Sequence, residues 1–152
     1  MSRQLTADDA RQSLATHVAD KGQQVYLKYG PDLSWNKLLE LLEDRTLVRY
    51  PTEIAFDATP LQPGEFASAV AKTDNPEDGY TIYVHPYFSL DPKRVAALVL
   101  YHLVVVNYGD MATAEEAEIF GAAALGVMTD EYYNTVCEAA DQISGEVPLL
   151  SA

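Results

Sequence analysis

The side chains able to do chemistry in this 152-residue chain are few and widely spaced. There are three histidines, His17, His85 and His102, and one cysteine, Cys137. His102 lies inside the apolar run VAALVLYHLVVV, and Glu115, Glu116 and Glu118 open the segment EEAEIF that follows it. Imidazole and carboxylate groups drawn from separate elements can hold a divalent cation. On that reading His85 and His102, completed by Glu116, Glu118 or Asp110, form a histidine-carboxylate set, although spacing alone does not demand it. A structural reading stands beside it for each residue. His102 is then a core histidine hydrogen-bonded to a tyrosine or to Glu116, and His85, which precedes Pro86, stabilises a turn. The glutamates suit the positive end of a helix dipole. His17 lies solvated on a polar helix, and Cys137 is a buried, inert thiol. No GxSxG, P-loop, GxGxxG or CxxC pattern occurs.

The elements that must carry these residues read as α+β. Thr6 with Asp8 and Asp9 starts a helix in which Leu14, Val18, Val25 and Tyr29 recur at helical spacing until Gly30-Pro31, with Gly22 a point of kinking or division. Ser34 caps a short helix whose stripe is Trp35, Leu38, Leu39 and Leu42. From Thr46 the pattern becomes β-rich. LVRYPTEIAFDA, EFASAVAK and YTIYVH predict a small antiparallel sheet over 46–86. Asp91-Pro92 then opens a helix over about 92–108, apolar nearly all round and so the buried centre of the domain, ending at Gly109. Thr113 with Glu116 is a capping box for the next helix, which ends at Gly126. Thr129 starts a last helix through Ile143, with Gly145 and Pro148 closing the fold. The expected organisation is one domain over 1–152: helices over 5–45, sheet over 46–86 and a three-helix segment over 91–144.

The stretch YVHPYFSLDPKRVAALVLYH, together with EEAEIFGAAAL from Glu115 to Leu125, resembles the zincin-like metallopeptidases of the ImmA/IrrE type over roughly residues 80 to 126. That family carries HExxH on one helix and a segment close to EEANRFAAALL on the next. Two imidazoles at i and i+4 share a helix face and hold zinc, while the glutamate activates the bound water. Here the corresponding run is His102-Leu103-Val104-Val105-Val106. Leu103 stands at the position of the general base and Val106 at that of the second ligand. An aliphatic side chain can neither ligate a metal nor move a proton. The resemblance therefore implies a zincin-like fold whose surviving site is His102 and Glu116, a pseudoenzyme with no metal expected. Zinc held by His85, His102 and Glu116 is the alternative.

Composition narrows the partners. A net charge of −13 argues against nucleic acid and anionic membranes. All ten Lys and Arg residues lie at or before Arg94, and nine acids with no basic residue follow from Val95 onward, so an electrostatic partner should be basic. A single cysteine and a polar N-terminus, with no apolar run of membrane-spanning length, lead to the expectation of a soluble cytoplasmic protein. Ten tyrosines are the compositional excess, and Tyr83, Tyr87 and Tyr101 are the candidates to line a groove. The expected function is a non-catalytic zincin-like domain binding a protein or peptide. Alternatives are a metal-dependent hydrolase and an acidic decoy of a basic partner.

Overall fold

The computed structural model describes residues 6–150, with side chains described through residue 143. Helices α1 (Ala7–Tyr29) and α2 (Trp35–Glu43) precede a three-stranded sheet of β1 (Thr52–Phe56), β2 (Ala67–Ala71) and β3 (Tyr80–Val84), and α3 (Pro92–Tyr108), α4 (Ala114–Leu125) and α5 (Thr129–Leu150) follow. The α+β architecture and the buried central helix are as the sequence predicts.

Local chemistry sets most of the boundaries. The Thr6 hydroxyl accepts from Asp9 N while the Asp9 carboxylate accepts from Thr6 N, and the Ser34 hydroxyl accepts from Lys37 N, so both helix starts satisfy amides that have no partner within the helix. The Asp91 carboxylate caps α3 at Arg94 N with Pro92 in the first turn. Gly126, at φ 69°, ends α4 in the left-handed conformation that favours glycine.

Packing centres on α3. Residues Val95 to Leu100 are all buried, and Leu103, Val104, Val106 and Asn107 continue that core. It is joined by Ile82 and Val84 from the sheet, Leu38 and Leu41 from α2, and Val18 and Val25 from α1. Tyr132 of α5 is buried and donates its hydroxyl to Ala97 O at 2.6 Å, fastening the last helix to the central one.

Three elements differ from the sequence-based expectation. The sheet is mixed: β2 pairs antiparallel with β3, but β1 pairs parallel with it, in the order β1-β3-β2. Inserting β3 between the first two strands is a long-range choice that local alternation does not encode. Helix α1 runs unbroken through Gly22, whose role is close approach, since a Cβ there would meet Phe120 O of α4 at 2.7 Å. Helix α5 continues past Gly145 and Pro148 to Leu150. Glycine merely weakens a helix, and a proline this near a C-terminus removes one backbone donor.

Candidate functional site

His102 sits on α3 where the chain is almost entirely apolar. Its ring meets the edges of Phe66, at 5.6 Å between centroids, and Tyr101, at 5.3 Å. Its Nε2 is buried with no hydrogen-bond partner among the described residues, so the bond to a tyrosine or Glu116 expected from sequence is not made there. Burial pulls its pKa down from 6.5 to about 4, because a charged imidazolium would lose its hydration and gain no compensating acceptor. At neutral pH His102 is an uncharged ring in an apolar setting. Leu103 and Val106, which follow it on the same helix, are 0% and 1% exposed and belong to the hydrophobic core.

Glu116 is wholly buried at the start of α4. Its Oε1 accepts from Thr113 N at 3.0 Å and from the Thr113 hydroxyl at 2.8 Å, and it pairs with the guanidinium of Arg11 on α1. Arg11 also donates to Met111 O, so one arginine ties α1 both to the α3–α4 connection and to the first turn of α4. The carboxylate thus caps a helix and locks two helices together. Its Oε2 is buried without a partner among the described residues. Although no basic residue follows Arg94, Glu116 is compensated by Arg11, 105 positions earlier in the chain.

His85 performs the turn role. Its Nδ1 accepts from Tyr87 N at 3.1 Å and caps the short 3-10 turn Pro86–Phe88. Its backbone N donates to Phe66 O at 2.9 Å, and it is the ring of that same Phe66 that lies against His102. Asp110 is exposed in the turn after α3, and Glu118 is half-buried, its pKa raised by burial and then by Glu115. Among the described residues no three His, Cys, Asp or Glu side chains come together in a group that could hold a metal, so the set His85, His102 and Glu116 is not assembled.

The tyrosines are dispersed. Tyr101 is half-buried against Phe66 and His102, and burial, then Glu118, raises its phenol pKa. Tyr83 pairs across the sheet with Ser68 and Ala55, and Tyr87 is half-exposed with its ring edge on Phe88. Neither of two surface cavities, described next, is lined by any of the three. Cys137 is only partly buried, one turn after Tyr133, in place of the expected buried thiol.

One cavity, of about 230 Å³, is an apolar recess between Trp35, Phe56, Pro92 and Val95, with the Trp35 and Phe56 rings stacked at 6.0 Å. Two exposed apolar side chains lie near its lining residues in the chain. Leu39 stands one turn after Trp35 on α2, and Leu90, 95% exposed, follows Ser89 on the rim. The other cavity, of about 340 Å³, is lined by His17 and Lys21 of α1, by Arg45, Thr46, Leu47 and Arg49 of the α2–β1 connection, and by Asn107 and Tyr108 at the end of α3. Sequence reading missed this basic cluster, because its cations come from segments about 25 residues apart and the overall charge is acidic. The one local signal is spacing by four, His17 with Lys21, which places both on one helix face.

No helix among the described residues is long and apolar enough to cross a membrane. No family model, no curated protein and no solved structure matches the chain.

Proposed function

We propose that this chain is a non-catalytic domain that binds a protein or peptide partner. The observation that carries the reading is the environment of His102: an imidazole held neutral among Phe66 and Tyr101, with buried hydrocarbon at Leu103 and Val106 and with Glu116 committed to Thr113 and Arg11. General acid-base work needs a titrating group near the operating pH within reach of a substrate proton. A zinc site with catalytic power needs three protein ligands around one ion. Neither condition is supported by these residues, and the hydrolase built on His85, His102 and Glu116 gains no support from their separate environments: a turn cap, an apolar contact with Phe66 and Tyr101, and a helix cap paired with Arg11.

The partner surface best supported is the recess of Trp35 and Phe56 with the exposed Leu39 and Leu90 near its lining residues in the chain. Aromatic and aliphatic groups clustered around a shallow recess suit one inserted apolar anchor. Glu40 and Asp57 adjoin Leu39 and Phe56 in the chain, both exposed, and the net charge of −13 favours basic residues flanking that anchor.

A random-peptide selection on the immobilised chain tests this. Enriched peptides should carry an aromatic or aliphatic anchor beside Lys or Arg, and should bind Leu90→Asp and Leu39→Asp chains at least ~10-fold more weakly, the scale of one lost anchor contact. Enrichment of peptides indifferent to both substitutions, or no enrichment at all, contradicts the assignment.

A further inference from the structure

We propose that the cavity where α1, the 45–49 connection and the end of α3 meet is a binding site for a small soluble molecule bearing a phosphate monoester. In a chain of net charge −13, Lys21, Arg45 and Arg49 converge on one cavity together with His17. Among the described residues none of these three cations has a carboxylate at ion-pair distance. Backbone oxygens position them instead: Lys21 Nζ donates to Thr46 O at 2.9 Å and Arg45 donates to Leu42 O at 2.9 Å. Arg49 lies over the Tyr50 ring at 5.1 Å, a contact that leaves its guanidinium donors unused. Carbonyls orient a cation without cancelling its charge, so the field of three positive groups remains directed at the cavity.

The cavity is built on a fixed frame. Asn107, buried on α3, accepts from Arg49 N at 2.8 Å and donates to Leu47 O at 2.9 Å, clamping the connection that carries both arginines. Beside it Tyr108, at the end of α3, completes the lining. His17 lies edge-on to the same ring at 5.5 Å.

Charge and size select the ligand class. Lys21, Arg45 and Arg49 line the cavity and no carboxylate does; the nearest acids are Asp44, bonded to Thr46, and Asp20, whose charge reaches Tyr108. A phosphate monoester carries about −1.5 to −2 at neutral pH and offers three acceptor oxygens, which planar guanidinium forks engage in pairs. A single carboxylate would leave most of the charge of three lining cations unmatched. The volume of about 340 Å³ lies at the lower end of small-molecule sites and holds more than a bare ion. The remaining acidic surface repels polyanions such as nucleic acid, which confines the ligand to a small molecule.

The test is a two-dimensional NMR titration of the full chain with methyl phosphate and with inorganic phosphate, against sodium chloride at matched ionic strength and vesicles containing phosphatidic acid. Saturable shifts for both phosphates at His17, Lys21, Arg45 to Arg49 and Tyr108, absent with chloride, are expected. The Arg45→Gln/Arg49→Gln double variant, altered at exposed positions, should weaken binding by at least ~10-fold, as two lost charge-assisted contacts imply. Lys21→Gln should weaken it severalfold, whereas Lys37→Gln, outside the cavity, should leave it unchanged. Shifts that chloride reproduces, binding that survives the double variant, or binding to vesicles alone would overturn the proposal. None of these outcomes depends on the peptide surface at Trp35 and Phe56.

Discussion

His102→Leu isolates the histidine around which the functional reading turns. In the folded chain its pKa is about 4, against 6.5 when unfolded, and burial is the cause. A histidine depressed by burial costs nothing above its unfolded pKa, where both states are neutral. As pH falls below 6.5 the unfolded chain takes up a proton that the folded chain refuses, and stability drops until the folded pKa is reached. At pH 5 the imidazole is about 97% protonated when unfolded and about 10% when folded, which penalises the native state by roughly 2 kcal/mol relative to pH 7.5. Leucine removes the titrating group and the unpartnered Nε2 while keeping a helix-forming apolar side chain. Urea denaturation of both proteins at pH 7.5 and pH 5 reads the difference, in which the shared carboxylates cancel. The native chain should lose about 2 kcal/mol more than the variant between the two pH values, a shift of about 1 M in midpoint for an m-value near 2 kcal/mol/M. At pH 7.5 the two should agree within about 1 kcal/mol, as expected for a near volume-conserving exchange. A difference that does not change with pH, or a loss well above 2 kcal/mol for the variant at pH 7.5, would show that His102 is charged or bonded in the fold and would refute the reasoning.

Two further substitutions probe the packing around it. Arg11→Ala strands the buried Glu116 carboxylate with only its cap bonds; because Arg11 is itself 46% exposed, the expected loss is about 2 kcal/mol, below the 3–5 of a fully buried pair. A double-mutant cycle with Glu116→Gln should recover most of that loss as coupling, and independent effects would contradict the bridge. Gly121→Ala places a Cβ 2.0 Å from the ring of Tyr132, which its bond to Ala97 holds in place, so a loss of about 2 kcal/mol or more in thermal or urea unfolding is expected. An unchanged stability would mean that α5 does not seat on α4 as described.

The helices were legible in the sequence because their signals are local. Thr6 with Asp9, Ser34, Asp91-Pro92 and Thr113 with Glu116 each satisfy amides within a few residues, and Gly109 and Gly126 end helices by their own backbone freedom. The buried centre was legible too, since the run from Val95 to Val106 has almost no polar face. Strand order was not: alternation in Thr52–Phe56 and Tyr80–Val84 reports which face is buried, not which neighbour it pairs with or in which direction. The duties of Glu116 and His85 were half legible, as a cap and a turn. The bond from Arg11, 105 residues away, and the unbonded Nε2 of His102 depend on tertiary packing. The cavity of Lys21, Arg45 and Arg49 escaped notice for the same reason, since summed charge describes a chain and a field describes a fold.

The central claim is that His102, Leu103, Val106 and Glu116 are occupied with holding the fold. Zinc titration of the untagged chain by competition with a chromogenic chelator, with peptide cleavage followed in the same samples, tests it most directly. No stoichiometric zinc uptake and no cleavage above the protein-free rate are predicted. About one zinc per chain, lost on His102→Ala, or reproducible peptide turnover would contradict it.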